Sequence, residues 1–459
     1  METSRPNYQR LASGAIALAI ALSGRLAYAD SAILATADQQ LIESRAIKVV
    51  TTPEVKEQIE ASTKVFASLP LGADPEAARV LRPAVEELAF ATALDAADSD
   101  SQRPKVVWGF TAPRTWLGHA VPGSRWGIDN PDNVYRIIPI DGSSKYEISV
   151  RSHGPGPIQY SFLVYESFVG EDGKEAHLDT PVAGLRDRDI HVGADGAFTI
   201  TVDASSANGR NNHLQINDAA RVLLVRNTFS DWQRQAPLEV SIKRLGTPTR
   251  AALSDREVAQ RAASLLKAAT ETLVGWQKSG FAAHSTVNVI SKPNARGGGW
   301  GYAANGNFKI ADDEALVVTL NTLGAKYVGF DLTNPWLVSL EHIHGSGSLN
   351  STQAEPNRDG TITYVVAAKD PGVYNWLSTD GIHSGNILIR WQAVPETTTA
   401  DAGVQSVKIV KLRDLSTALP ANIRQVTAAE RQQILDQRAA AYAHRFTTTP
   451  TVAGLITSR

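Results

Sequence analysis

The stretch VYRIIPIDGSSKYEISVRSHGPGPIQYSFLVY, residues 134–165, decides the fold of this chain. It contains three short runs of β-branched, aromatic or alternating residues, at 134–138, 146–150 and 159–165. Asp141-Gly142 separates the first two runs, and an Asx-Gly pair supplies the positive φ that a tight turn needs. The stretch therefore predicts antiparallel strands joined by short turns.

The same texture extends over two blocks of the sequence. In the first block, further strands are predicted at 198–202, 221–226 and 238–242, with more Asx-Gly pairs at 172–173, 195–196 and 208–209. In the second block, from about 308 to 394, strands are predicted at 315–320, 327–332, 361–367 and 386–391. We expect a mainly β protein with flanking helices (α+β), built from two antiparallel β-sandwich or jelly-roll-like domains. Trp126-Gly127 and Trp300-Gly301 stand ahead of the two blocks and suggest an ancient duplication.

Helix signals surround the two strand blocks. Thr52-Pro53 and Asp74-Pro75 each combine an N-cap residue with proline at the first helical position, and they predict helices to about 68 and 97. Capping-box spacing at 254–257 and 427–430 predicts helices to about 279 and 444. The chain thus divides into a signal peptide over 1–29, a helical segment over 30–104, a first β-sandwich over 105–250, a connecting helix over 251–282, a second β-sandwich over 283–398, and a strand, helix and frayed tail over 399–459.

Composition excludes several classes of protein. The chain has 459 residues, 43% of them hydrophobic and 20% charged, which is too apolar for a disordered protein. Its 45 basic and 47 acidic residues give a net charge of −2, which disfavours a nucleic-acid partner. Because cysteine is absent from the sequence, disulfides, thiolate nucleophiles and iron–sulfur clusters are excluded.

The N-terminus predicts export. Arg5 and Arg10 precede a short apolar run, Leu11–Leu22, and Ala27-Tyr28-Ala29 follows as a small-x-small cleavage pattern. This order is typical of a secretory signal peptide cleaved near Ala29. The mature protein is then expected in the periplasm or secreted, with no membrane contact after cleavage. The alternative is an uncleaved membrane anchor.

Four groups of residues resemble the bacterial DUF1214 family, which is often joined to or grouped with DUF1254. The family is largely uncharacterised, so the resemblance implies two packed β-domains and no agreed activity. It covers roughly residues 75–445. The matching groups are Asn130-Pro131-Asp132-Asn133-Val134-Tyr135-Arg136 with Ile140-Asp141-Gly142 and Tyr146, the run 220–226 with Asp231-Trp232, the run 313–316 with 334–336 and 348–350, and Asp359-Gly360 with 370–376, Gly381, Gly385 and Arg390-Trp391.

The first of these motifs supplies candidate catalytic residues at the start of a strand. Asp132 would be the acid or base, Arg136 an anion clamp, Tyr135 a further catalytic group and Asn133 a ligand contact. A satisfied turn network is the alternative explanation for the motif.

Histidines supply a second candidate site. His342 and His344 would point to the same face of a strand, where both imidazoles could bind one divalent metal. His383, beside a later turn, is a candidate catalytic residue. The alternative is a pair of solvent-facing or turn histidines at the edge of a sheet.

Aromatic residues supply candidate ligand contacts. Trp300 and Tyr302 stand in a Gly-rich loop, Trp336 follows a predicted strand, and Asn375-Trp376 follows the turn former Asp370-Pro371-Gly372. Exposed Trp and Tyr suit a saccharide or another flat, partly apolar ligand, whereas the alternative assigns them to the sandwich cores. Neither a Gly-x-Ser-x-Gly nor a His-Glu-x-x-His motif occurs, which disfavours serine hydrolases of that type and zincins.

Two functions remain open from the sequence. The first is an enzyme that acts on a small organic or saccharide substrate in a cleft between the two β-domains. The second is a non-catalytic ligand-binding or envelope-associated protein. Either could form a homo-oligomer.

Overall fold

A computed structural model describes residues 33–116, 118–168, 171, 180–279, 286–297, 300–396 and 398–447. The first strand block forms two sheets, whose strands follow the orders β1-β4-β10-β6-β7 and β11-β5-β8-β9. These strands are β1 (Val107–Gly109), β4 (Asn133–Pro139), β5 (Lys145–Arg151), β6 (Gln159–Tyr165), β7 (Ala183–Arg186), β8 (Ala197–Asp203), β9 (His213–Gln215), β10 (Val222–Thr228) and β11 (Glu239–Leu245), and a separate hairpin contains β2 (Arg114–Trp116) and β3 (His119–Val121).

Alternation in these strands builds the first sandwich core. Along β5, Tyr146, Ile148 and Val150 are buried while the residues between them are exposed. Their side chains meet apolar residues of the five-stranded sheet, such as Phe162 and Val225, in one cluster. Each strand therefore contributes one apolar face, as the period of two requires.

The second strand block repeats this topology strand for strand. Its sheets have the orders β12-β13-β19-β15-β16 and β18-β17-β14-β20, and the pair β17·β18 is parallel, as is β8·β9. This repetition supports the duplication that the two Trp-Gly dipeptides suggest. The strands are β12 (Asn294–Ala295), β13 (Tyr302–Lys309), β14 (Glu314–Leu320), β15 (Tyr327–Thr333), β16 (Ser348–Asn350), β17 (Ile362–Ala367), β18 (Trp376–Ser378), β19 (Ser384–Gln392) and β20 (Val404–Lys411).

Six α-helices accompany the sheets in the described part of the chain. The predicted helix starts are confirmed at Pro53 and Pro75, and the Asp74 carboxylate accepts the backbone N–H groups of Glu76 and Ala77. The helices are α1 (Ala37–Val49), α2 (Pro53–Ala67), α3 (Pro75–Ala97), α4 (Asp255–Ser279), α5 (Leu415–Ala418) and α6 (Ala428–Thr447), with 3₁₀ turns at Pro70–Ala73, Asp187–Asp189, Ala400–Ala402 and Leu412–Asp414.

Helices α1–α4 cover the outer faces of both five-stranded sheets. One apolar cluster joins Leu88 of α3 and Leu266 of α4 to Leu163 and Leu224 of the first sheet and Leu388 of the second. The two sandwiches therefore share a helical layer, and the outer faces of their five-stranded sheets approach each other beside it. Helix α6 packs on the other side, where its arginines contact both sandwiches.

The expected fold class is confirmed, and details of the prediction change. Strand β20 pairs with β14, so the second sandwich extends to Lys411, past the predicted boundary at 398. Helix α1 and the short strands, such as β7 and β9, were absent from the prediction. The predicted signal peptide, the Asp172-Gly173 turn and the tail after Thr447 lie outside the described residues. Within those residues, no helix is long and apolar enough to cross a membrane.

Candidate functional site

A cavity of about 80 Å³ lies where the outer faces of the two five-stranded sheets meet. Its wall combines side chains from both sandwiches with one residue of α4. Five aromatic residues and three arginines contribute, together with smaller polar groups. The lining residues are Phe110, Trp126, Gly127, Ile128, Asp129, Asn133, Tyr135, Leu224, Arg226, Trp276, Arg296, Trp300, Arg390 and Gln392. We call this cavity the interdomain cleft.

Strand register explains why polar groups converge on the cleft. Tyr135 of β4 lies opposite Arg226 of β10, so both side chains stand on the same outer face. On the second sandwich, Arg390 and Gln392 are two residues apart on β19 and therefore also share a face. The cleft thus collects the outer-face residues near corresponding ends of the two sheets.

Aromatic rings form the apolar part of the wall. Phe110 stacks on Trp126 with ring centroids 5.7 Å apart and contacts Tyr135 at 5.1 Å. The Arg226 guanidinium lies 4.9 Å from the centre of the Trp300 ring, a cation–π distance. The cleft therefore offers flat apolar surfaces next to positive charge.

The backbone near the wall is strained. Phe110 and Ile128 both have φ of 57°, a left-handed conformation that costs a non-glycine residue of order 1 kcal/mol or more. Gly127, at φ 65°, approaches Trp276 so closely that a Cβ atom would lie 3.2 Å from its ring. Such strain is concentrated in proteins at functional sites, where the surrounding structure maintains it.

Several buried polar atoms at the cleft have no hydrogen-bond partner among the described protein residues. On its wall these are Asn133 Oδ1, Trp300 Nε1 and Gln392 Oε1. Each of these side chains is at least nine-tenths buried, and a buried polar atom without a partner costs about 1–3 kcal/mol. Strand neighbours on the same two sheets extend this unpartnered set with Gln159 Oε1, Ser161 Oγ, Thr228 Oγ1 and Asp331 Oδ1.

Other polar groups of the cleft are held by defined contacts. The Tyr135 hydroxyl accepts hydrogen bonds from Asn133 Nδ2 at 2.9 Å and from the Asn130 backbone N–H at 3.3 Å, and so keeps its own proton as a donor. The Asp129 carboxylate accepts the Ser339 hydroxyl at 2.8 Å. Burial raises the pKa of Asp129 to about 6, against the opposing effect of the nearby Arg125 charge.

Arg390 and Asp331 form a buried ion pair beside the cleft. Arg390 also donates to the Ile128 carbonyl oxygen at 2.8 Å. Burial raises the pKa of the Asp331 carboxyl, and the Arg390 charge opposes that rise. Arg390 itself stays protonated, because Asp331 raises the pKa of its guanidinium.

Asp132 lies behind the cleft, fully buried, where it joins the two sandwiches. Its Oδ1 accepts the Trp232 indole N–H at 2.6 Å and Asn350 Nδ2 at 2.8 Å, and its Oδ2 accepts the Tyr327 hydroxyl at 2.8 Å. Burial raises the pKa of Asp132, and the hydrogen bonds from Tyr327 and Asn350 only partly oppose that rise. The structure therefore gives Asp132 a connecting position and does not place it on the cleft wall.

Arg136 points the opposite way from Tyr135. Its guanidinium donates to Asn227 Oδ1 at 2.9 Å and to the Leu238 carbonyl oxygen, in the interior of the first sandwich. Burial lowers its pKa to about 9. Arg136, which the sequence suggested as an anion clamp, therefore does not line the cleft, whereas Arg226 does. Among the described residues Arg226 forms no ion pair with Asp231, whose carboxylate accepts the Gln233 N–H within its own turn.

The histidines do not assemble into one site. Residues 341–347 are irregular, so the strand prediction for His342 and His344 is wrong. His342 is buried, with its Nδ1 2.9 Å from the Leu340 carbonyl oxygen, whereas His344 is exposed. His383 lies between Glu76 and Asp312, at 2.6 and 3.1 Å, away from the cleft. The described residues contain no group of three or more His, Asp or Glu side chains able to hold a metal.

Four other candidate ligand contacts stabilise the fold instead. Trp336 donates its indole N–H to the Ala77 carbonyl oxygen at 2.7 Å, and Trp376 donates to Ala367 at 3.0 Å. The Asn375 side-chain amide accepts the backbone N–H of Glu355 and donates to the backbone carbonyl oxygen of the same residue. The Tyr302 hydroxyl donates to the Thr398 carbonyl oxygen.

Of the candidate residues predicted from the sequence, Asn133, Tyr135 and Trp300 line the interdomain cleft, whereas most of the other wall residues were not predicted. Arg226 and Arg390 lie inside apolar strand runs, and their charge within such a run is a signal that could have found them. Trp126 was noted only as a marker of duplication. Phe110 and Trp276 carried no local signal.

Comparison with known proteins supports the fold alone. No family model and no curated protein matches the sequence. A crystal structure of an uncharacterised protein from Burkholderia cenocepacia is similar at 24% identity and a TM-score of 0.65, over 82% of this chain and 100% of that one. The VPA0106 protein from Vibrio parahaemolyticus matches at 11% identity and a TM-score of 0.40, over 82% and 99% of the two chains.

Proposed function

We propose that the protein binds a small organic molecule in the interdomain cleft. The observation that carries this proposal is that three residues with an unpartnered buried polar atom (Asn133 Oδ1, Trp300 Nε1 and Gln392 Oε1) line one aromatic-walled cavity. Concave sites with flat apolar walls and a few fixed polar groups are the usual form of small-molecule sites. A ligand that satisfied these atoms would offset their desolvation cost.

The cavity volume limits the size of the ligand. At roughly 10–15 Å³ for each water-sized group, about 80 Å³ accommodates roughly five to eight non-hydrogen atoms. The ligand is therefore a small molecule or one terminal portion of a larger one, such as the end of a saccharide.

Tryptophan fluorescence tests this proposal directly, since Trp126, Trp276 and Trp300 line the cleft. A library of small acids, amides, alcohols and sugars is titrated against the purified protein. We expect saturable quenching by at least one class, and at least fivefold weaker binding to Trp300→Phe, which removes the unpartnered indole N–H.

Trp376→Phe is the matched control, because the Trp376 indole donates to Ala367 outside the cleft. Its affinity for the same compounds should equal that of the parent protein. Equal loss in both variants, or no saturable quenching by any class, would exclude ligand binding in the cleft.

Catalysis in the same cleft is the second candidate function, and Asp129 favours it. This carboxyl lines the cavity and has a pKa raised to about 6, near the range of useful general acids and bases. Compounds that bind are incubated with the protein and analysed by mass spectrometry. We expect Asp129→Asn to bind a substrate and fail to convert it, whereas a cleft that only binds would return every compound unchanged.

The proposal also includes a family and a cellular location for the protein. The motifs around Asn130–Arg136 and 370–376 support a protein of DUF1214 type, and the basic and apolar segments before Ala29 support export to the periplasm or beyond. In that location the cleft would receive its ligand from outside the cytoplasm.

A further inference from the structure

The internal repeat assigns corresponding positions to Arg226 and Arg390. Each arginine lies two residues before the end of its strand, β10 or β19. Each also pairs with the third residue of the next strand in its sheet, Ser161 of β6 or Gly329 of β15. The two guanidinium groups therefore face the cleft from equivalent places in the two sandwiches, and both line it.

The second sandwich supplies its arginine with a carboxylate. Asp331 is the fifth residue of β15, diagonally across from Arg390, and the two side chains form a buried ion pair. A charged arginine in a buried position is stabilised by such a partner, because the lost hydration has to be replaced. Within the second sandwich, Asp331 supplies the negative charge that the buried Arg390 needs.

The described residues of the first sandwich do not supply a carboxylate to Arg226. Leu163 is the fifth residue of β6 and stands where Asp331 stands in the repeat. Arg226 is 9% exposed and stacks on the Trp300 ring, and the described residues give it no ion pair. The repeat thus contains two equivalent arginines and one carboxylate.

Resting on the proposed binding function, we infer that the ligand is a small carboxylate whose charged group binds Arg226 in the way that Asp331 binds Arg390. A carboxylate brings the guanidinium a full negative charge as well as acceptor oxygens, and a neutral amide of the same shape lacks that charge.

Other charges at the cleft agree with this class of ligand. Arg296 adds a third positive side chain to the wall. The Asp129 carboxylate on the same wall is engaged by Ser339 and lies near Arg125, so it does not serve Arg226. The remaining wall is aromatic, which suits a carboxylate with a short flat or apolar body of the size set by the cavity.

Matched acids and amides test the inference. Propionate and 2-furoate are compared with propionamide and 2-furamide by tryptophan fluorescence and calorimetry, with inorganic phosphate as a further probe. We expect at least one acid to bind at least tenfold more tightly than its amide. Arg226→Gln should weaken acid binding at least tenfold and change amide binding less than twofold.

Three further variants make the test more specific. Arg413→Gln, at a side chain that is 81% exposed, should leave all affinities unchanged. Leu163→Asp places an internal carboxylate beside Arg226 and should abolish acid binding, whereas Leu163→Asn should reduce it less. Circular dichroism checks that each variant is folded, and Arg226→Gln decides the matter if the Leu163 variants fail to fold.

The outcomes separate this inference from the proposed function. Amides binding as tightly as acids, tightest binding by phosphate, or no effect of Arg226→Gln would overturn the carboxylate assignment. If a neutral compound binds and Trp300→Phe weakens it, the assignment fails while ligand binding in the cleft stands. If no probe of any class binds saturably, both fail.

Discussion

Replacing Tyr327 with phenylalanine removes one hydroxyl from the junction between the two sandwiches. That hydroxyl donates to Asp132 Oδ2 at 2.8 Å and accepts from Asn130 Nδ2 at 3.0 Å, and all three side chains are buried. A hydrogen bond to a charged group contributes about 1.5–3 kcal/mol and a neutral one about 0.5–1.5 kcal/mol. We therefore expect Tyr327→Phe to lower the free energy of unfolding by about 3 kcal/mol.

Thermal and urea unfolding measure this loss. For domains of this size, 1 kcal/mol corresponds to about 2–4 °C in Tm, so the expected decrease is about 6–12 °C. Near-ultraviolet circular dichroism at 25 °C checks that the variant keeps its tertiary packing.

Tyr364→Phe is a matched control in the same sandwich. Tyr364 is as fully buried as Tyr327, yet its hydroxyl has no hydrogen-bond partner among the described residues. Removing it should change stability by less than about 1 kcal/mol, in either direction. Equal losses in the two variants, or a loss below about 1 kcal/mol for Tyr327→Phe, would refute the connecting role of Asp132.

Three further predictions concern pH and processing. Burial raises the pKa of Asp129 from 3.8 to about 6, so the folded state binds a proton more readily than the unfolded state. In urea titrations, the free energy of unfolding of the parent protein relative to Asp129→Asn should therefore rise by up to about 3 kcal/mol as the pH falls from 7 to 4. Glu76, with Asp312, raises the pKa of His383, so protonated His383 stabilises the fold below about pH 6.5 and this stabilisation is lost at higher pH. Because the side chain is 40% exposed, His383→Asn should lower the free energy of unfolding by no more than about 1 kcal/mol at pH 5.5 and should not change it at pH 9. Mass spectrometry of the protein exported from a bacterial host should find Asp30 at the N-terminus, and a chain retaining residues 1–29 would contradict the signal-peptide prediction.

Local patterns in the sequence predicted the long elements of the fold well. The strand Gln159–Tyr165 and the helix Pro75–Ala97 appear with the expected bounds, because alternation, N-caps and turn residues act within a few positions of one another. Strands of three or four residues, such as β9, have too few positions to show a period. Their formation depends on distant partners, as in the parallel pairing of His213 with Thr201.

The residues of the cleft wall could not be predicted from the pattern of a single strand. Tyr135 and Arg136 are adjacent, so a strand sends them to opposite faces, one toward the cleft and one into the sandwich. Sequence alone did not show which face meets the second domain. Phe110 and Trp276 reach the same wall from a loop and a helix 166 positions apart, which only the packed structure brings together.

The position of Trp232 has a consequence for how the protein is made. The guanidinium groups of Arg438 and Arg445 both contact its ring, at 4.3 and 4.7 Å from the ring centre, so the last described helix completes a junction that the first sandwich begins. A ribosome releases the first sandwich well before Arg390 and α6 exist. The cleft can therefore assemble only after the chain has been made as far as Gln392, and a ligand that binds it would stabilise molecules with both sandwiches and not molecules with the first sandwich alone.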